Sequence, residues 1–153
     1  MNIGIIVYSQ TGNTLSVAQR LEEALLKAGH FVQLERVTVE STKKLSKGMR
    51  LESRMDLNDY DMLFFGSPVH AFALASPMSV YLSNLSSLKR KKVGVFVTQG
   101  LKYAWMGGNR SVSQMKKLCL QKGAEVFATG VVGWSSGSRE KQIQDVVERF
   151  CRG

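Results

Sequence analysis

The sequence predicts an α/β protein with a parallel sheet and helices on both of its faces. Short apolar runs rich in β-branched residues alternate five times with segments of helical periodicity, the pattern of right-handed strand-helix-strand units. Several runs are continuously apolar, as strands covered on both faces must be. The length of 153 residues, with 44% hydrophobic and 22% charged side chains, suits one domain with an ordinary core. No repeat or linker interrupts residues 1–153, which are read as a single domain.

The elements follow in order. Asn2–Tyr8 (NIGIIVY) is the first strand. A helix over 13–28 follows, with Leu15, Ala18, Leu21, Leu25 and Leu26 on one face and Gly29 as its stop. Phe31–Val39 alternates apolar and polar residues, which suits a strand nearer a sheet edge. Residues 40–57 are polar and basic (Lys43, Lys44, Lys47, Arg50, Arg54), with Leu45, Met49 and Leu51 at helical spacing. They predict an irregular helix or a helix plus loop. Residues 61–66 (DMLFFG) form the third strand, and 76–85 a helix with Ser76 as N-cap and Pro77 at its first position. A fourth strand over 93–98, a helix over 109–122 ended by Gly123, a fifth strand over 124–132 and an amphipathic helix over 138–151 complete the chain.

Composition excludes several classes of function. Two cysteines, Cys119 and Cys151, give no disulfide framework and no metal-ligand spacing, and two distant histidines give no zinc or catalytic cluster. The N-terminus lacks the pattern of a signal peptide, no window has the length of a membrane span, and a reduced, cytoplasmic setting is expected. The net charge of +9 admits a nucleic acid, an anionic surface or an acidic protein as partner. No nucleic-acid motif or aromatic-basic platform accompanies it, so nucleic acid is not expected.

In an open parallel sheet a ligand lies beyond the carboxyl ends of the strands. Chemistry is therefore expected in the loops after the first, third and fourth strands: 9–14, 67–75 and 98–108. The first reads Ser9-Gln10-Thr11-Gly12-Asn13-Thr14 and opens a helix. Free N–H groups and the helix dipole attract an anion there; hydroxyls add donors, and Gly12 permits close approach. A helix cap alone accounts for one hydroxyl but not for three beside an Asn and a Gly. The loop lacks the Lys of a P-loop and the glycine spacing of a dinucleotide fingerprint, so it suits a phosphate monoester held by neutral donors.

Tyr8-Ser9-Gln10-Thr11-Gly12-Asn13-Thr14 resembles the FMN-phosphate loop of flavodoxins, T/S-x-T-G-N-T. The stretch 58–68 (NDYDMLFFGSP) is similar to that family's third strand and the start of its flavin loop. The resemblance implies a flavodoxin-like three-layer sandwich with five parallel strands in the order 2-1-3-4-5, and FMN as cofactor. It assigns Ser9, Gln10, Thr11, Gly12, Asn13 and Thr14 to the phosphate, and Ser67, Pro68, Val69, His70, Ala71 and Phe72 to the inner wall of the flavin slot. Thr98, Gln99, Gly100, Tyr103, Trp105 and Gly107 fall to its outer wall and pyrimidine edge, with Trp105 the first and Tyr103 the second candidate for the stacking ring. No metal and no catalytic side chain are implied.

The chain departs from the family at three positions. Ala71 stands where a Gly peptide usually turns over to bond the reduced flavin, and an Ala is expected to resist φ > 0. Phe72 replaces the usual acidic residue, and Lys102 stands near a usual Asp. The resemblance implies a carrier that shuttles electrons between redox partner proteins, as a monomer or weak dimer. At +9 its partners are expected to be acidic. An FMN-dependent NAD(P)H:quinone-type oxidoreductase is the alternative function, and a non-redox flavin-binding or interaction protein the third.

Overall fold

In a computed structural model, which describes residues 1–39, 51–52 and 55–153, the apolar runs line up as the inner strands of one sheet. The order along the chain is β1 (Asn2–Tyr8), α1 (Asn13–Lys27), β2 (Phe31–Val39), β3 (Leu51–Glu52), a 3-10 turn (Leu57–Asp59), β4 (Met62–His70), β5 (Ala73–Leu74), α2 (Ser76–Asn84), β6 (Lys92–Gln99), α3 (Gly108–Gln121), β7 (Glu125–Gly133) and α4 (Arg139–Cys151). The sheet order is β3-β2-β1-β4-β6-β7, with β5 hydrogen-bonded to β4. The five longer strands run parallel, and the two-residue strands β3 and β5 pair antiparallel with β2 and β4. Taken alone, the parallel strands have the expected order 2-1-3-4-5.

Alternation along each strand divides the core into two layers. Ile6, Tyr8, Leu63, Phe65, Val95 and Val97 pack with Met78, Tyr81 and Leu82 of α2 and with Met115 and Cys119 of α3. On the opposite face, Ile3, Ile5, Val7, Phe64 and Phe96 pack with Val17, Leu21 and Leu25 of α1 and with Ile143, Val146 and Phe150 of α4. Two Gly–Phe cross-strand pairs make the second layer fit. Phe64 is opposite Gly94 and Phe96 opposite Gly66, and a Cβ on Gly66 would stand 2.3 Å from the Phe96 ring.

Several boundaries differ from the sequence expectations. The 76-onward helix is capped by Ala75, so Ser76 is its first residue and Pro77 its second, not N-cap and first. Pro still costs nothing there, because the first turn's N–H groups have no intrahelical acceptor. Leu51 lies in a strand rather than a helix. The rest of the helix or helix plus loop expected over 40–57 falls largely on 40–50 and 53–54, outside the described residues.

β4 continues four residues past Gly66, through the segment expected to be a loop. Pro68 has no N–H to give to a ladder, which disfavours it inside a sheet. The register shows why it is tolerated: β1 pairs with β4 only as far as Gly66, while β6 accompanies it to Pro68–Thr98. Pro68 thus sits where one side of β4 has already lost its neighbour.

Candidate functional site

The carboxyl ends of β1, β4 and β6 bring the three loops to one edge of the sheet. The first is organised around the Ser9 hydroxyl. Ser9 is buried, and its Oγ accepts from the N–H of Gly12 (3.2 Å) and of Leu15 (3.3 Å). Ser9 therefore points inward and shapes the loop instead of facing outward. Gly12 takes φ 93, the left-handed region that favours glycine, and a Cβ placed on it would meet nothing within 4 Å. Among the described residues, the N–H groups of Asn13 and Thr14 at the start of α1 have no hydrogen-bond acceptor. Two orphan donors thus stand at the positive end of a helix, next to a glycine whose missing side chain leaves open space.

Thr14 is buried, and its hydroxyl shares a 2.7 Å hydrogen bond with that of Thr98. This bond ties the start of α1 to the end of β6. Gln10 and Thr11 are exposed at the tip of the loop. Arg36, on β2, donates from its guanidinium to the Ser9 carbonyl. The loop carries no cation of its own, and sequence reasoning did not place one beside it. The signal lay in strand register: Arg36 pairs with Val7, two residues before Ser9.

The second loop is a β-hairpin. Val69 pairs with Leu74 and His70 with Ala73, leaving Ala71 and Phe72 as a two-residue connection. Both have positive φ, 48° and 63°. The expectation that Ala71 would resist φ > 0 is therefore corrected. A two-residue hairpin of this hand has φ > 0 at both central positions, and strand pairing on either side imposes it on residues that carry the cost. Ser67 is buried, and its hydroxyl donates to the Pro68 carbonyl (3.0 Å). The His70 ring meets Tyr8 edge to face at 6.1 Å, while Ala71 and Phe72 are exposed.

Gln99 builds the third loop from beneath. It is buried, and its amide nitrogen donates to the carbonyls of Leu101 (3.0 Å) and Tyr103. Its Oε1 has no hydrogen-bond partner and lies where a Cβ on Gly108 would be, 2.4 Å away. The Gln99 and Gly100 carbonyls accept from the Trp134 N–H (2.7 Å) and the Ser135 hydroxyl, which anchors the loop to the turn after β7. Above this support Tyr103 and Trp105 stack on each other, with ring centres 6.1 Å apart and planes 7° from parallel. Trp105 is 72% exposed. Trp134 instead packs on the α1–α4 core layer, with the Arg139 guanidinium 4.9 Å from its ring centre.

Gly107 joins the second and third loops. It has φ 109 and caps α3, and an added Cβ would stand 2.7 Å from Cα of Phe72 and 3.1 Å from a Val69 methyl. The hairpin and the 100–107 loop therefore touch through backbone. Neither the hairpin nor the third loop contains a carboxylate, and Lys102 is the one charge within them. Cys119 lies below, buried in α3; burial pushes its thiol up to about 12, so it is no nucleophile at neutral pH.

No protein-family model matches the chain. Solved structures do. It is similar to the two-electron reduced flavodoxin of Megasphaera elsdenii (22% identity, 99% of each chain covered, TM-score 0.71) and to the flavodoxin of Streptococcus pneumoniae (18% identity, 99% of each chain, TM-score 0.70). It is also similar to a flavoprotein of Lactobacillus acidophilus in complex with FMN (18% identity, 94% of this chain and 97% of that one, TM-score 0.67). The fold is the flavodoxin fold, reached at low sequence identity.

Proposed function

We propose that the protein binds FMN non-covalently at the carboxyl edge of its sheet and shuttles electrons between redox partner proteins. The observation that carries this is the pair of N–H groups, Asn13 and Thr14, left without an acceptor at the start of α1, next to the open space at Gly12. Neutral donors at a helix start suit a phosphate monoester. Glycine-bounded backbone with exposed aromatic rings suits a flat, amphipathic ring system. That the fold is shared with an FMN complex supports the same reading.

In this reading Thr11, Gly12, Asn13 and Thr14 hold the phosphate. Ser9 acts from within by keeping the loop in shape. Val69, His70, Ala71 and Phe72 wall one side of the ring, and Gly100, Tyr103 and Trp105 the other. Thr98 and Gln99 serve as supports, because their side chains are already bonded to the protein. FMN supplies the electron chemistry, and the chain supplies orientation and electrostatics. No side chain of the three loops is arranged as an acid-base catalyst. With no carboxylate in the hairpin or third loop to oppose an anionic reduced ring, the fully reduced state is favoured and the lower potential is less negative than in an acidic site. The net charge of +9 favours acidic partners, and salt should weaken their encounter.

One observation favours a second reading, an FMN-dependent NAD(P)H:quinone-type oxidoreductase. With Ala71 and Phe72 both at positive φ, turning over the peptide between them would force Ala71 into backbone space that only glycine enters readily. A hairpin locked in this way gives no redox-linked hydrogen bond to favour one-electron steps. Titration of the FMN-loaded protein with dithionite separates the readings. Reduction in two resolved one-electron stages supports the carrier. A direct two-electron bleach, together with NAD(P)H oxidation in the presence of a quinone, supports the reductase. A protein that takes up no FMN would sink both.

A further inference from the structure

We infer that Arg36 is a phosphate-recognition residue, a cation that β2 delivers to an otherwise neutral loop. The inference rests on the FMN reading and extends it to a residue outside the loops. Three observations converge on it. The Arg36 guanidinium donates to the carbonyl of Ser9, the first residue of the loop, which fixes its charge at the loop's base. Among the described residues Arg36 has no carboxylate partner, although the chain holds 12 Asp and Glu. It also shares a sheet face with Val7, its register partner, and that face carries α1, at whose N-terminus the unbonded N–H groups of Asn13 and Thr14 lie.

A guanidinium has five N–H donors in a rigid fork, and the Ser9 bond uses one. The charge is not consumed by that bond, because a carbonyl is neutral. A phosphate monoester carries between one and two negative charges near neutral pH. A neutral cradle gives it hydrogen bonds and a helix dipole but no counter-charge. Arg36 supplies that charge from the neighbouring strand, and its hold on Ser9 keeps it from swinging into solvent. The expected selectivity is for a phosphorylated flavin over the same ring without its phosphate.

The test compares FMN with riboflavin, which differ only in the phosphate, by calorimetric titration of the apoprotein and of R36A and R36K. The wild type should prefer FMN strongly. R36A should weaken FMN about tenfold, the scale of one charge-assisted contact at a partly exposed site, and leave riboflavin affinity unchanged. R36K should recover most of the loss, and the salt dependence of FMN binding should flatten in R36A. Equal weakening of both ligands would make Arg36 a support for the loop and overturn the inference, as would an unchanged FMN affinity. A wild type that binds riboflavin as well as FMN would overturn phosphate recognition while leaving a flavin site. A wild type that binds neither would overturn the FMN reading and the inference with it.

Discussion

The loop after β1 and the pair of loops after β4 and β6 lie at one edge of the sheet but are built in different ways. The first is local. Ser9 holds Gly12 and Leu15 within seven residues of chain, and Gly12 carries its positive φ in open space. The other two are held to each other and to the rest of the sheet by long-range contact. The hairpin, closed by its own pairs Val69–Leu74 and His70–Ala73, meets the 100–107 loop through Gly107, and the Gln99 and Gly100 carbonyls tie that loop to residues 134 and 135. The difference separates two kinds of precision. A phosphate needs donors at a helix start, which a short motif supplies; a flat ring needs two walls at a fixed spacing, which only tertiary contact supplies.

The comparison is broken most sharply at its two capping glycines. Gly107→Ala should lower stability by about 3 kcal/mol, since it adds backbone strain to a clash with the Phe72 backbone. Urea unfolding at constant m-value measures it. Thr98→Val should cost about 2 kcal/mol by leaving the buried Thr14 hydroxyl unpaired, while the double variant Thr14→Val, Thr98→Val should recover most of that loss. A double-mutant cycle on unfolding midpoints would show it. Gly12→Ala should cost only about 1–2 kcal/mol, because strain acts there without a clash. Equal losses at Gly12 and Gly107 would remove the distinction between local and long-range construction. Ala71→Gly should be the smallest effect and of opposite sign. It relieves the turn against the entropy of a glycine and should leave the protein about 0.5 kcal/mol more stable.

The same division decides what was legible in the sequence. The strand-helix alternation and the 9–14 loop could be read directly, because hydrophobic period and a contiguous motif are local signals. The glycine stops at Gly29 and Gly123 were read for the same reason, and both have positive φ. Arg36 was hidden because its place depends on the β1–β2 register, not on its sequence neighbours. The extension of β4 was not legible because it depends on pairing with β6 beyond the point where β1 ends. The conformation of Ala71 ran against propensity because strand pairing outweighs about 1–2 kcal/mol of backbone preference. Gln99 had been assigned to the ring's edge for its backbone, and nothing in the sequence announced that its side chain would be buried beneath the third loop.

The central claim is that one flavin nucleotide spans both kinds of construction, with its phosphate at the first loop and its ring at the other two. Backbone amide NMR of the uniformly labelled apoprotein, titrated with FMN, tests it residue by residue. The predicted result is saturable shifts at Asn13 and Thr14 together with shifts across 69–72 and 100–107, while the basic turn Lys89-Arg90-Lys91, which enters β6 at the end opposite these loops, stays unchanged. Shifts confined to that turn, or none on adding FMN, would contradict the account.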